Sequence, residues 1–202
     1  MDAIIVTHGD ADHYNGIPFL LQRFRPDIIW VNEGSGDSNE YTAMLALAAR
    51  LHIKVQIPQP GEQLIHGGAA VLVNLTGPGA ASAASFNDHS LIVRFEQDKF
   101  SCLFAGDISQ NIEARLIADQ LPLQSTLLLS PHHGSATSNS ESFLQTVIPD
   151  IIVVSAGRFR PNHFPAPLVR QRCRDLGIRM LITAEQGAIT FSNKDGHFSL
   201  QE

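Results

Sequence analysis

The chain has 202 residues, a formal net charge of -6, 44% hydrophobic residues and 17% charged residues. That length suits one domain of about 100–200 residues, and the composition excludes a mainly disordered chain. The acidic balance excludes a general basic-patch binder of polyanions, so contact with nucleic acid would need a local basic patch or bound metal. No apolar run approaches the roughly 20 residues of a membrane span. The longest, such as Ile151–Val154 and Leu127–Leu129, are strand-sized. No secretory leader is expected ahead of the first strand, because Met1-Asp2 lacks a basic start and an apolar stretch. Cys102 and Cys173 allow at most one disulfide, and Cys102 is expected as a buried free thiol.

In chain order, residues 4–6 read as a buried strand ending at Thr7-His8. Phe19, Leu20, Leu21 and Phe24 suit a helix stopped before Pro26. Residues 28–31 form a second strand. From Ser38, apolar Tyr41, Met44, Leu45, Ala48 and Leu51 fall at helical spacing, with Ser38 as the N-cap. Residues 54–57 and 70–75 are further strands, and glycine-rich 77–85 is a loop. Residues 91–95 and 100–105 flank Gln97-Asp98-Lys99 as a hairpin. A helix is expected over 112–121, a strand over 126–129, a helix over Glu141–Val147 and a strand over Ile151–Val154. A helix over 167–176 ends at Gly177, and Arg179–Ile182 and 188–191 are the closing strands. Helices alternating with strands suggest sheets covered by helices.

Nine histidines are unusual for this length, and their placement is informative. Thr7-His8-Gly9-Asp10-Ala11-Asp12-His13 follows the first buried strand. A tight loop with Gly9 and Ala11 as small spacers would aim its imidazoles and carboxylates at one point, where neither a helix nor a strand would. Such a donor set suits Zn, Mn or Fe, against the plainer reading of a solvated acidic turn. Gly106-Asp107 ends another apolar strand, a feature equally at home in a turn. Leu129-Ser130-Pro131-His132-His133-Gly134-Ser135 again hands a strand over to histidine. One of the pair is expected to ligate while the other supports it or faces substrate. Asn162-His163-Phe164-Pro165, near Arg158 and Arg160, reads as a phosphate-facing loop or an ordinary basic one. His52, His66 and His197 carry no such context.

These motifs, in this order, resemble the metallo-β-lactamase superfamily, and within it the metallo-hydrolase domain of ComEC-type competence proteins. Asp10 stands where most of the superfamily has a histidine, as in ComEC-type domains. Asn87-Asp88-His89-Ser90 before Gly106-Asp107, His132-His133-Gly134-Ser135 with Ser138, and Arg158 followed by His163-Phe164-Pro165-Ala166-Pro167 match the remaining blocks. The resemblance covers nearly the whole chain. Departures are Asn15-Gly16 in place of Gly-Gly, and Ala166 where a second histidine is common. The family's opening β-hairpin region, with its Asp-x-Gly-x-Gly-Asp block, has no counterpart before the first strand. The implied fold is an α/β αββα sandwich, incomplete at its N-terminal side. The implied domain spans 1–202 as a fragment of a larger membrane protein, or else a truncated reading frame, with an open sheet edge, exposed apolar surface and reduced stability.

Carried over residue by residue, the resemblance puts His8 and Asp10 on a first metal and Asp12 and His13 on a second. Asp107 would bridge them, and His132, with His133 as the alternative, would complete the second site. A third histidine for the first site has no clear counterpart. Asn87 and His89 are the local candidates for metal or substrate contact. Asp12, Asp107 and His163 are the candidate catalytic residues, and Ser135, Arg158 and His163 the candidate substrate contacts. Two divalent ions, Zn or Mn, would activate water and stabilise the attacking and leaving oxygens. Asp10 hardens the first site, so Mn²⁺ is expected to serve at least as well as Zn²⁺. The implied activity is that of a phosphodiesterase or nuclease on DNA, expected to be single-stranded, during uptake in natural competence. The implied partner is the membrane part of a ComEC-type channel. This chain is expected to be soluble itself, and held at the bacterial inner membrane through that part. The alternatives are a non-catalytic DNA-contacting module and a small ester or lactone hydrolase on the same fold.

Overall fold

The computed structural model describes residues 1–34, 36–67, 70–76, 85–158, 164–194 and 197–201. The expected loop at 77–85 and the residues Arg160, Asn162 and His163 fall outside this set, except for Ser85. Strand β1 (Ala3–Ile5) is followed by a short helix α1 (Ala11–Tyr14), then α2 (Ile17–Phe24), β2 (Ile28–Trp30), α3 (Asn39–Arg50) and β3 (Lys54–Gln56). The three strands pair in parallel in the order β1-β2-β3. Helix α2 ends at Arg25 in the left-handed region, and Pro26 blocks its continuation. The Ser38 hydroxyl accepts the Tyr41 N–H at 3.0 Å, which caps α3 as its sequence requires. Side-chain alternation divides the strands into two faces. Ile4 and Ile29 pack with Leu21, Met44 and Ala48 under the helices, while Ile5, Ile28 and Trp30 face the opposite way.

The second sheet begins as an antiparallel meander of β4 (Gln63–Gly67), β5 (Ala70–Asn74), β6 (Val93–Gln97) and β7 (Phe100–Phe104). It continues in parallel through β8 (Leu127–Leu129), β9 (Ile151–Val154) and β10 (Arg179–Ile182). Parallel neighbours need crossovers, supplied here by α4 (Gln110–Ala118), α5 (Glu141–Val147) and α6 (Pro167–Asp175). Leu103, Leu128 and Ile152 bury against Phe143, Leu144 and Val169 on the helical side. Burial of one such side chain contributes about 1.5–3 kcal/mol. Cys102, Leu127 and Val153 face the first sheet's side. The layers are therefore helix, sheet, sheet, helix, an αββα sandwich of the α/β class.

After β10 come a short helix α7 (Thr183–Gln186) and an antiparallel hairpin of β11 (Thr190–Lys194) and β12 (His197–Gln201). This hairpin forms its own two-stranded sheet and lays Phe191 and Leu200 on the inner face of the large one. A cavity of about 690 Å³ remains between the sheets, lined by Ile5, Phe95, Phe100, Phe104, Phe191 and Phe198 among others. Beside it, the edge of β1 away from β2 pairs with no strand among the described residues. No helix of the described residues is long and apolar enough to cross a membrane. Cys102 and Cys173 are both free and buried, and burial pushes their thiols up to about 12 and about 11.

Most expected elements are present with ends moved by a few residues. α1, β4, α7 and β12 are additions, and the expected strand at 188–191 instead begins at Thr190 and belongs to the separate hairpin.

A buried polar network ties the outer helices to the loop after β8. Glu113 of α4 is fully buried. Its carboxylate accepts the N–H groups of Asn139 at 2.5 Å and Ser140 at 2.8 Å. Burial raises the Glu113 carboxyl above its ordinary range, with these hydrogen bonds and Arg172 pulling the other way. The Asn139 amide in turn donates to the Pro131 carbonyl at 3.0 Å, and its oxygen accepts the Ser130 hydroxyl at 2.8 Å. Glu113→Gln would present an amide NH₂ to one of two buried N–H donors. An unmet buried donor costs about 1–3 kcal/mol, so urea denaturation of Glu113→Gln is expected to show a loss of that size.

Candidate metal centre

The strand ends do the positioning. β1 delivers Thr7 and His8, β7 delivers Gly106 and Asp107, and β8 delivers the His132-His133 turn. The first of these was expected to be a tight loop throughout. Instead, Asp10 occupies the N-cap position of α1, and Asp12 and His13 lie on its single turn. A helical turn brings Asp12 and His13 in, while the extended Asp10 backbone lets its carboxylate approach His8 separately.

Asp107 sits at the centre, with 5% of its surface exposed. Its Oδ1 is 3.4 Å from His13 Nε2, and its Oδ2 is 3.5 Å from His133 Nε2 and 4.0 Å from His8 Nε2. Asp10 approaches His8 Nε2 at 3.7 Å, and Asp12 approaches His133 Nε2 at 3.4 Å. His8, His13 and Asp107 converge as one possible ligand set, and Asp12, His13 and His133 as another. The Nε2 atoms of His8, His13 and His133 are buried and make no hydrogen bond.

The opposite ring nitrogens are all engaged. Thr7 Oγ1 lies 3.1 Å from His8 Nδ1 and 3.3 Å from His13 Nδ1. His133 Nδ1 donates to the Ser155 carbonyl at 2.8 Å, which leaves its Nε2 as a bare lone pair when neutral. Burial, with His13 beside it, lowers His8 to about 4. For His13, burial acts downward but Asp107 outweighs it, and the net is upward. For Asp107, burial acts upward but His13, His133 and His8 outweigh it, and the net is downward. At neutral pH His8 is therefore neutral and Asp107 ionised, the forms in which both serve as metal ligands.

The turn after β8 presents His133, where the sequence reading placed His132 first. Both residues have left-handed backbone, at φ 50° and 56°. Both rings lie near Phe164, at 6.4 Å and 6.3 Å between centroids, but only His133 falls in a ligand set. The backbone N–H of His132 meanwhile binds the Gly106 carbonyl at 3.1 Å, joining the two loops.

Of the other expected residues, His89 belongs to neither ligand set. Asn87 and His89 lie in a short 3₁₀ turn, where His89 is buried against Gly34. The Ser135 hydroxyl is paired with that of Thr137 at 2.9 Å. Arg158 Nε donates to the Ala184 carbonyl at 2.6 Å. Thr7 and Ser90 were not expected at the site. Thr7 opens the first motif, and Ser90 closes the Asn-x-x-Ser block, but nothing in sequence shows that either touches a ring nitrogen.

The family model of the metallo-beta-lactamase superfamily matches residues 1–158. ComE operon protein 3 of Bacillus subtilis is 27% identical over 202 residues, covering 99% of this chain and 26% of that protein. Competence protein ComA of Neisseria gonorrhoeae is 34% identical over 106 residues, covering 52% of this chain and 15% of that protein. This chain thus spans about 26% or less of the length of those relatives, which are competence proteins of the ComEC type. Among solved structures, the metallo-beta-lactamase fold protein YhfI from Bacillus subtilis has a TM-score of 0.54 at 14% identity. It covers 100% of this chain and 78% of its own. The layered fold and the match over residues 1–158 together place this chain in the metallo-beta-lactamase superfamily.

Proposed function

We propose that this chain is a dinuclear metal-dependent phosphodiesterase that cuts DNA, in single-stranded form, during uptake. The observation that carries the reading is the set of buried Nε2 atoms on His8, His13 and His133, none hydrogen-bonded and all facing ionised Asp107. A buried polar atom without a partner is costly, and imidazole nitrogens beside carboxylates are a fitting donor set for Zn or Mn. His8, Asp10, Asp12, His13, Asp107 and His133 would hold the ions. Asp107 would be the central ligand, with one oxygen facing His13 and the other facing His8 and His133. When bound, two such ions supply Lewis-acid stabilisation of phosphodiester oxygens and activation of water.

The protein's own groups have separable roles in this reading. Asp12 is the most open of the two ligand sets, and it would orient the attacking water. Thr7, Ser90 and Ser155 hold the imidazoles so that their Nε2 atoms stay turned inward. His163 and Arg158 are the proposed phosphate contacts, Arg158 through the guanidinium N–H groups other than the one held by Ala184. The likeness to competence proteins supports DNA as the polyanion. We place the chain at the bacterial inner membrane, as part of a longer ComEC-type protein whose membrane portion is its partner.

The β1 edge and the cavity beside it support that placement. Further strands of the longer protein would pair with β1 and cover the apolar lining. Restoring the β-hairpin region that family domains carry ahead of this strand is expected to raise the melting temperature by at least about 4 °C. Equal melts would sink this idea.

Metal content by plasma mass spectrometry, on untagged protein purified without chelator, checks the ligand set. The wild type is expected to carry about two ions per chain. His133→Ala is expected to lose at least one of them and His132→Ala none. The catalytic reading is tested on single-stranded DNA. Cleavage is expected with Mn²⁺ at least as fast as with Zn²⁺, and Asp107→Ala should lower it by a factor of about 100 or more. A gel shift without cleavage would point to a binding module. Turnover of nitrophenyl esters with DNA intact would point to a small-ester hydrolase.

A further inference from the structure

Ser90 is almost fully buried between the ends of β1 and β7. Its hydroxyl donates to the Asn87 carbonyl at 2.7 Å. The same oxygen accepts the backbone N–H of Asp107 at 3.0 Å and lies 3.3 Å from His8 Nδ1. A hydroxyl has one proton, and here it is committed to Asn87. Toward His8 the oxygen can therefore only accept, so a hydrogen bond between them puts the proton on Nδ1 and leaves Nε2 bare. Thr7 Oγ1 also adjoins this nitrogen, but it faces His13 as well and carries no such fixed direction. Gly106 fits the same contact. A Cβ on it would lie 2.5 Å from both Cβ and Oγ of Ser90, and its φ is +57°.

We propose that Ser90 is a positioning residue of the metal centre. One oxygen atom selects the Nδ1–H tautomer of His8 and holds the backbone from which the Asp107 carboxylate projects. Segments 82 residues apart in sequence are thereby set in register around the ion site. This rests on the metal-centre reading above, and its test separates the two.

The test compares wild type, Ser90→Ala and Ser90→Thr as the full chain. Ring ¹⁵N shifts of His8 in the metal-free protein report the tautomer, and titration calorimetry with MnCl₂ and ZnCl₂ reports affinity. Ser90→Ala is expected to move His8 toward the Nε2–H tautomer and to raise the metal Kd by about 10-fold or more. Ser90→Thr, which returns the hydroxyl, is expected to recover both. An unchanged tautomer in Ser90→Ala, or a Kd within about threefold of wild type, overturns the proposal. If Ser90→Ala loses its fold, folded Ser90→Thr decides: wild-type tautomer and affinity support the role, and loss of either overturns it. A wild type that takes up neither ion overturns the metal-centre reading, and the tautomer shift alone then decides the role of Ser90.

Discussion

Asp107 is an ionised carboxylate almost wholly removed from water, and the arrangement of the site follows from how that charge is accommodated. An unpaired buried carboxylate is expensive, and proteins keep one only with close compensation. Here the three imidazoles stand at 3.4–4.0 Å, longer than good hydrogen bonds, and their bare Nε2 atoms offer the carboxylate no proton, so close compensation is left to a cation. The rings are tethered on their far sides by Thr7, Ser90 and the Ser155 carbonyl, so they do not collapse onto the carboxylate. The result is a pre-organised space with lone pairs on one side and negative charge on the other. Divalent cations satisfy both.

The sheet geometry explains why the groups meet at one edge. β1 lies at the edge of a parallel sheet, and β7, β8 and β9 run parallel in the other. Each of these strands ends on the same side of the sandwich. The segment after each contributes: His8 after β1, Asp107 after β7, His133 after β8 and Ser155 after β9. Carboxyl ends of parallel strands are a common place for sites because the loops there converge while the strands stay rigid.

Much of this was legible in the sequence. Ser38 and the apolar spacing of Tyr41, Met44 and Ala48 announce α3, and the buried run Ile151–Val154 announces β9. The metal-type residues were visible because imidazole and carboxylate cluster directly after apolar strands. Backbone sign was not visible. Only the left-handed conformation at both His132 and His133 decides which ring turns inward, and neither residue type dictates it. Polar edge strands were equally hidden. β4 (Gln63–Gly67) and β12 (His197–Gln201) mix polar with apolar residues, so neither shows the apolar run that marks a core strand. Ser90 was hidden for another reason. A serine's significance lies in which atoms it meets across the fold, and its partner His8 is 82 residues away.

Two consecutive non-glycine residues in the left-handed region cost about 1–2 kcal/mol each. The Glu113–Asn139–Arg172 network offsets that by bracing the turn from α4 and α6, since Arg172 also donates to the Asn139 carbonyl at 2.8 Å. Outer-layer packing therefore sustains an inner-layer strain that places His133. Electrostatics gives this placement its consequence under the proposed function. Asp10, Asp12 and Asp107 around a chain of net charge -6 would repel a phosphodiester. Two divalent ions reverse the local sign, because bound cations are the largest charges in such a site. Substrate attraction and bond cleavage then depend on the same ions, and the protein's contribution to both is the rigid set of lone pairs held by Thr7, Ser90 and Ser155.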